Sequence, residues 1–242
     1  MNAIETKALT KQYKDVTAVN NLELTVREGE LFALLGVNGA GKTTTIKMLS
    51  CLTKPTSGDA ILLGKSITAE PEAVKRLIAV SPQETAVAPK LTVRENLEMM
   101  AEIADCDKAE GKARIQRLSE AFGLEPVMKK PAGKLSGGWQ RRLSIALALI
   151  LEPKILFLDE PTLGLDVLAR SELWEVIRAL KGKITVILTT HYMEEAEALS
   201  DRIGVMGAGH LLCVGTAEEL KAQTGKETLE EAFIALAKGA TK

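Results

Sequence analysis

Eight residues near the start of the chain have the spacing of a loop that binds phosphate groups. Residues 36–43 read GVNGAGKT and fit the pattern GxxxxGK[ST], between an apolar strand at 31–35 and a helical stretch at 44–52. Glycines in such a loop let the backbone turn sharply and present consecutive N–H groups to phosphate oxygens. The lysine meets the β- and γ-phosphates, and the next hydroxyl can coordinate Mg²⁺. The alternative is a plain glycine-rich turn before a helix. We therefore predict a nucleotide site, with Thr43 also a metal ligand, formed by Gly36, Val37, Asn38, Gly39, Ala40, Gly41, Lys42, Thr43 and Thr44.

Two carboxylates end a second apolar run. Residues 155–158 read ILFL and are followed by Asp159 and Glu160. Ligands bind at the carboxyl ends of parallel strands, and side-chain alternation predicts that the two carboxylates point to different sides. Asp159 is suited to hold Mg²⁺, directly or through water, whereas Glu160 is suited to polarise the water that attacks the γ-phosphate. The alternative, a solvated turn or a helix cap, fits Glu160 better than Asp159.

A serine and two glycines stand before another helical stretch. Ser136, Gly137 and Gly138 lie within the run LSGGWQ at 135–140 and introduce a predicted helix at 140–151, whose N-terminus can bind an anion. This run and the phosphate loop together resemble the ATP-binding cassette (ABC) family, from about residue 13 to about residue 220. The resemblance implies ATP sandwiched head to tail between two copies, the serine hydroxyl and glycine N–H groups of one copy meeting the γ-phosphate held by the other. The alternative is a capped surface helix. Trp139 replaces the glutamine that is usual in the family.

The same resemblance assigns roles to a glutamine and a histidine. Gln83 follows an apolar strand and corresponds to the family's Q-loop glutamine, which reaches the metal and the attacking water. His191 ends a predicted strand and corresponds to the switch histidine, which donates a hydrogen bond to the γ-phosphate. The alternatives are a surface glutamine in a turn and an exposed histidine at a helix start. The predicted metal ligands are thus Thr43, Gln83 and Asp159, and the predicted catalytic residues are Lys42, Glu160 and His191.

Two further positions match the family at its adenine site and its dimer interface. Tyr13 resembles the A-loop aromatic residue that stacks on adenine, with packing of the ring in the core as the alternative. Asp166 resembles the D-loop aspartate that crosses between copies, although Leu163 departs from the usual loop sequence. Asp166 is predicted equally well as a helix N-cap. The predicted dimer interface contains Ser136, Gly138 and Asp166.

The composition of the chain limits its possible partners. It has 242 residues with 31 basic and 32 acidic side chains, a net charge of −1, so no nucleic-acid partner is expected. Three scattered cysteines without CxxC spacing favour neither disulfides nor a zinc site and fit a reducing cytoplasm. The longest apolar run, 143–151, is far shorter than the roughly 18 residues that a membrane-spanning helix needs.

The periodicity of the sequence predicts the elements that carry these residues. Strands at 3–8, 22–26 and 30–35 predict an antiparallel N-terminal β subdomain. Helical spacing at 93–124, with Arg114, Gln116 and Glu120 on its exposed face, predicts an inserted α-helical subdomain. Continuous apolar runs at 155–158 and 184–188 predict a mainly parallel sheet. The predicted fold class is therefore α/β, with a P-loop NTPase core. An ABC ATPase domain at 1–220 divides into a core (1–83 and 151–220) and a helical subdomain (84–150). The tail, 221–242, is a polar connection at 221–225 followed by a short helix at 228–236.

The leading functional hypothesis is an ATP-binding and ATP-hydrolysing subunit of an ABC transporter. The resemblance implies ATP and Mg²⁺ as cofactors, a second ATPase copy, and separate transmembrane permease subunits that hold the chain on the cytoplasmic face of the membrane. Residues 191–197 and 228–233 look like those of ABC-2 type exporters. The alternative is a soluble ABC ATPase, for example of the cofactor-assembly or repair type. A P-loop kinase or GTPase would leave residues 136–138 unexplained.

Overall fold

A computed structural model describes residues 1–239 of the chain as strands and helices that alternate along most of its length. The strands are β1 (Asn2–Tyr13), β2 (Val16–Leu22), β3 (Thr25–Arg27), β4 (Leu31–Gly36), β5 (Ser57–Leu62), β6 (Lys65–Ser66), β7 (Ile78–Ser81), β8 (Ile155–Asp159), β9 (Thr185–Thr190), β10 (Arg202–Gly207) and β11 (His210–Gly215). The α-helices are α1 (Lys42–Leu49), α2 (Pro71–Lys75), α3 (Val93–Ile103), α4 (Lys108–Ala121), α5 (Gly137–Leu149), α6 (Val167–Arg178), α7 (Met193–Leu199), α8 (Ala217–Thr224) and α9 (Leu229–Gly239). None of these helices combines the length and apolarity needed to cross a bilayer.

The N-terminal strands form an antiparallel sheet. Its strand order is β2-β1-β5-β6, and β3 also pairs with β1. The strand predicted at 22–26 is divided between β2 and β3. The hydroxyl of Thr6 fills the break, since it donates to the carbonyl of Leu22 at 2.6 Å and accepts from the N–H of Leu24 at 2.7 Å. The strand predicted at 3–8 is longer in the structure and reaches Tyr13.

The main sheet has the order β11-β10-β4-β9-β8-β7, with β11 antiparallel to β10 and the other neighbours parallel. Strands β4, β8 and β9 are buried along their whole length, because the sheet has a hydrophobic core on each face. Alternate residues of β4 divide between these cores: Leu31, Ala33 and Leu35 face the one that contains α5, and Phe32 and Leu34 face the one that contains α1. The predicted fold class is confirmed.

Three α-helices, α3, α4 and α5, lie in the region predicted as helical, residues 84–150, and two 3-10 turns, Glu125–Val127 and Ala132–Lys134, lie between α4 and α5. Helix α3 is preceded by a capping box in which Thr92 and Glu95 bond reciprocally. The N-cap of α4 is Asp107, whose carboxylate accepts two N–H groups. The prediction that Arg114 is exposed is wrong, because it is largely buried and donates to the carbonyl of Ile150 at 2.8 Å. The division of the chain at residues 83, 150 and 220 stays a prediction.

The predicted polar connection at 221–225 is wrong. Residues 221–224 belong to α8, which starts at a capping box between Thr216 and Glu219 and ends at Gly225 with φ 65°. Gly225 is suited to this end because it adopts a left-handed conformation at little cost. The predicted tail therefore begins inside a helix. Helix α9 follows, with Leu229 and Phe233 buried in the α5 core, and residues 240–242 of the predicted tail lie outside the described part of the chain.

Candidate functional site

The phosphate loop joins β4 to α1, and close backbone contacts demand its glycines. A Cβ at Gly36 would lie 2.7 Å from the carbonyl oxygen of Met206, and one at Gly41 would lie 2.5 Å from that of Ala18. Gly39 and Gly41 also have positive φ angles of 82° and 102°. Helix α1 starts at Lys42 without a side-chain cap, so its first N–H groups are free of the bond that an N-cap side chain makes.

A cleft of about 520 Å³ opens over this loop. Its wall brings together residues that are far apart in the sequence: Tyr13, Ala18, Asn38, Gly39, Ala40, Gly41, Lys42, Thr43, Thr44, Gln83, Glu160, Leu163 and His191. Tyr13 is 45% exposed, so the alternative of core packing is wrong, and the ammonium of Lys11 lies 5.0 Å from its ring centroid. The cleft is open and lined by N–H groups, a lysine, a carboxylate and an aromatic ring, which suits a phosphorylated ligand with a planar base.

Lys42 is held at the bottom of the cleft. Its Nζ donates to the carbonyls of Gly36 at 2.7 Å and Val37 at 3.2 Å, and it lies 3.4 Å from Oε1 of Glu160. The same carboxylate oxygen is 3.3 Å from Nδ1 of His191. Although this distance is that of an ion pair, Nδ1 makes no directed hydrogen bond within residues 1–239. The carboxylate of Glu160 thus lies close to both Lys42 and His191.

Asp159 contacts the next residue of the loop. Its Oδ1 accepts from the hydroxyls of Thr43 at 3.1 Å and Thr189 at 2.5 Å. Both carboxylates therefore engage the phosphate loop, which corrects the prediction that they point to different sides. The physical reason is that β8 ends at Asp159, and Glu160, with φ 46°, leaves the strand geometry on which alternation depends.

The oxygen atoms at this position fit Mg²⁺. The Asp159 carboxylate and the Thr43 hydroxyl are hard oxygen donors, and Asp159 is only 5% exposed. No cluster of three or more His, Cys, Asp or Glu side chains that could hold a metal occurs among residues 1–239. The carboxylate of Asp159 beside the Thr43 hydroxyl suits magnesium, which proteins usually hold through one or two carboxylates together with substrate phosphates. Gln83 lines the same cleft.

Residues 136–138 do not line the cleft that the phosphate loop forms in the same chain. Ser136 caps α5 by position only, because its side chain accepts no N–H, and it is exposed together with Gly137. A Cβ at Gly138 would lie 3.0 Å from Cβ of Ala169, which brings α5 close to α6. The first N–H groups of α5 are thus free of a bond to an N-cap side chain.

Asp166 has the helix-cap role that is one of its two predicted roles. Its carboxylate accepts from the N–H of Ala169 at 2.9 Å and begins α6. The two residues that follow it, Val167 and Leu168, are 70% and 76% exposed. The interface role of Asp166 stays a prediction.

The sequence alone missed two buried ionisable residues beside the site. Arg141 is 3% exposed, and burial lowers the pKa of its guanidinium to about 10. Glu195 is fully buried and accepts from Thr162 at 2.8 Å and Trp174 at 3.2 Å, and burial raises the pKa of its carboxyl. The burial of Arg141 could have been predicted from helical spacing, because it lies four residues before Ile145 on the buried face of α5.

A phosphate loop between a strand and a helix, with acidic residues at the end of a neighbouring parallel strand, defines a P-loop nucleotide hydrolase. The chain belongs to the ABC transporter family, whose sequence model matches residues 19–163. It is 42% identical over 228 residues to the daunorubicin/doxorubicin resistance ATP-binding protein DrrA of Streptomyces peucetius, covering 94% of this chain and 69% of that protein.

Solved structures agree with this assignment. An ATP-binding subunit of an ABC transporter superposes with a TM-score of 0.86 at 31% identity, covering 97% of this chain and 99% of the other. The ATP-binding cassette MJ0796, solved as a dimer in a post-hydrolysis state with ADP and Pi, superposes with a TM-score of 0.79 at 27% identity, covering 88% and 98%. The chain is therefore an ATP-hydrolysing, ATP-binding subunit of an ABC transporter, as the sequence predicted, and the soluble alternative is not favoured.

Proposed function

We propose that this chain hydrolyses Mg²⁺-ATP within a head-to-tail dimer and thereby drives export through separate transmembrane subunits. One observation carries the proposal: the carboxylate of Glu160 lies within 3.4 Å of Lys42 and 3.3 Å of His191, in the cleft over the phosphate loop. A base, a cation for phosphate and a second hydrogen-bonding group are thus assembled in one place.

The cleft residues divide the chemistry among them. Lys42 and the loop N–H groups bind phosphate oxygens, which replace the carbonyls and the carboxylate that Lys42 now contacts. Glu160 then accepts a proton from the attacking water, and His191 orients the γ-phosphate. Thr43 and Asp159, with Gln83 beside them, would hold Mg²⁺, which neutralises phosphate charge. The Tyr13 ring stacks on the base.

The second half of each site comes from the partner copy. Ser136 and Gly137 are exposed and do not line the cleft of the same chain, and the Ser136 side chain caps no N–H group of α5. A helix N-terminus with free donors binds anions, so the γ-phosphate held by one copy fits the N-terminus of α5 in the other. Asp166 and the exposed residues after it lie beside this contact. The related cassette MJ0796 was solved as a dimer with ADP and Pi, which supports a dimer here.

The relatives support an exporter. Several are named as daunorubicin or doxorubicin resistance ATP-binding proteins, as in DrrA of Streptomyces peucetius. We therefore propose an ABC-2 type exporter in which this chain sits on the cytoplasmic face of the membrane, bound to permease subunits. The net charge of −1 gives no support to a nucleic-acid partner.

The substitution Glu160→Gln tests the proposal. It keeps the size of the side chain and removes the base, so ATP binding should persist while turnover falls on the order of 10²–10⁴-fold. In Mg²⁺-ATP the variant should also form a dimer, visible by light scattering. The control is Glu175→Gln, which changes a 70% exposed carboxylate outside the cleft and should leave turnover unchanged. Near-normal turnover, or a variant that stays monomeric, would contradict the proposal.

A further inference from the structure

Arg141 has an unusual set of contacts for a buried arginine. Its side chain is 3% exposed, yet it forms no ion pair within the described residues. Instead, three of its nitrogens donate to backbone carbonyls: Nε to Pro161 at 2.8 Å, Nη2 to Asp159 at 2.8 Å, and Nη1 to Pro82, with a longer contact to Gln83 at 3.4 Å. A buried charged donor is stable only where such bonds satisfy it.

The accepting carbonyls belong to segments that carry the proposed catalytic groups. Pro82 directly precedes Gln83 after β7. Asp159 ends β8 and is followed by Glu160, and Pro161 begins the segment that leads to α6. One guanidinium therefore connects the backbone on both sides of Glu160 with the backbone at Pro82 and Gln83.

Arg141 itself belongs to the helix that carries the other half-site. It lies four residues after the start of α5 at Gly137, which at 1.5 Å per residue is about 6 Å along the helix. Little more than one turn of helix therefore separates Ser136 from the carbonyls that Arg141 contacts.

We propose that Arg141 is a positioning residue that couples the exposed N-terminus of α5 to the catalytic cleft of the same chain. It keeps the backbones at Pro82, Asp159 and Pro161 in register with α5, so that engagement of α5 by nucleotide on the partner copy aligns Gln83 and Glu160 in its own cleft. The inference rests on the proposed head-to-tail site and names a residue that the cleft itself does not contain.

Arginine suits this role better than lysine. Its planar guanidinium presents five N–H donors in a fixed fork, whereas a lysine ammonium is a single point with three donors. The substitution Arg141→Lys therefore keeps the charge but cannot reach three carbonyls on separate segments. A positional error of about 1 Å in a catalytic group can lower turnover on the order of 10²-fold.

The experiment compares Arg141→Lys with Arg114→Lys in the full chain. Arg114 serves as a control, because its side chain is 13% exposed and donates to the Ile150 carbonyl away from the cleft. Unlike Arg141, it also forms ion pairs, with Glu110 and Glu152. We expect Arg141→Lys to lower kcat on the order of 10²-fold with little change in the KM for ATP. Arg114→Lys should lower the unfolding midpoint and leave kcat unchanged. In the Glu160→Gln background, Arg141→Lys should weaken Mg²⁺-ATP-dependent dimerisation while the monomer still binds ADP.

Three results would overturn the coupling. The first is that the two lysine variants lose the same fraction of kcat when their unfolding midpoints match. The second is that KM and ADP affinity change in proportion to kcat, since Arg141 would then only support the phosphate loop. If Arg141→Lys does not fold, hydrogen exchange in the Glu160→Gln protein decides: residues 80–83 and 136–141 should gain protection together on ATP addition, and protection of one segment alone overturns the proposal. Failure of the head-to-tail site is recognised separately, because the Glu160→Gln parent would then remain monomeric.

Discussion

The phosphate loop allows a quantitative test of why Gly41 must be glycine. Two effects oppose a side chain there: φ is 102°, and a Cβ would lie 2.5 Å from the carbonyl oxygen of Ala18. Backbone strain of this kind costs about 1–3 kcal/mol, and a forced contact in a packed region costs about 1–3 kcal/mol more. Gly41→Ala should therefore lower the free energy of unfolding by about 2–6 kcal/mol.

Two other glycines separate these effects. Gly64, in the connection between β5 and β6, has φ 81°, and a Cβ added there would meet no atom within 4 Å, so Gly64→Ala tests strain alone. Gly39 has φ 82° and equally open surroundings, but it lines the cleft. Gly39→Ala should match Gly64→Ala in stability and differ from it in weaker nucleotide binding.

Urea unfolding of the three variants, with nucleotide affinity measured in parallel, decides the matter. The loss of unfolding free energy should be largest for Gly41→Ala, without a change in the slope m. If Gly41→Ala and Gly64→Ala unfold at the same urea concentration, the contact with Ala18 is not what excludes a side chain at position 41.

Three further predictions concern single side chains. Burial raises the pKa of the Glu195 carboxyl. Its contribution to the free energy of unfolding is therefore fully present at pH values below its ordinary pKa, and it is lost as the pH rises through the raised pKa. Urea unfolding of Glu195→Gln should accordingly show stability that rises relative to the parent as the pH is raised above the ordinary carboxyl pKa; parallel pH profiles would refute this. Tyr13→Ala should weaken ATP binding by roughly 1–3 kcal/mol without abolishing turnover, whereas Tyr13→Phe should bind normally in the same titration. Trp139 is partly buried with the Arg142 guanidinium 5.1 Å from its ring, so Trp139→Gln should lower the unfolding midpoint and keep ATP turnover, and a large loss of turnover would show a catalytic role.

Much of this fold can be predicted from short stretches of sequence, because strands buried on both faces of a sheet are continuous runs of apolar residues. The runs that form β4, β8 and β9 are continuous and apolar, and each leads into residues of the cleft. The phosphate loop can also be predicted from the sequence, since its glycines are required by close backbone contacts and by positive φ angles.

The remaining features depend on contacts between distant segments. No local pattern reveals that the Arg141 guanidinium bonds to three backbone carbonyls, or that Glu195 accepts from Thr162 and Trp174. The predicted orientation of Glu160 is wrong because strand alternation does not extend one residue beyond the strand. The polar composition of residues 221–224 resembles that of a loop, whereas reciprocal capping by Thr216 and Glu219 makes them helical.

The separation of residues 136–138 from the cleft of their own chain has a genetic consequence in the proposed dimer. A copy with a disabling substitution at Lys42 has a defective cleft but an intact α5 N-terminus. A copy with a disabling substitution at Ser136 has an intact cleft but a defective α5 N-terminus. In a dimer of one copy of each kind, one site combines the defective cleft with the defective α5 terminus. The other site combines the intact cleft with the intact α5 terminus. Two inactive alleles should therefore restore partial turnover together, which neither does alone.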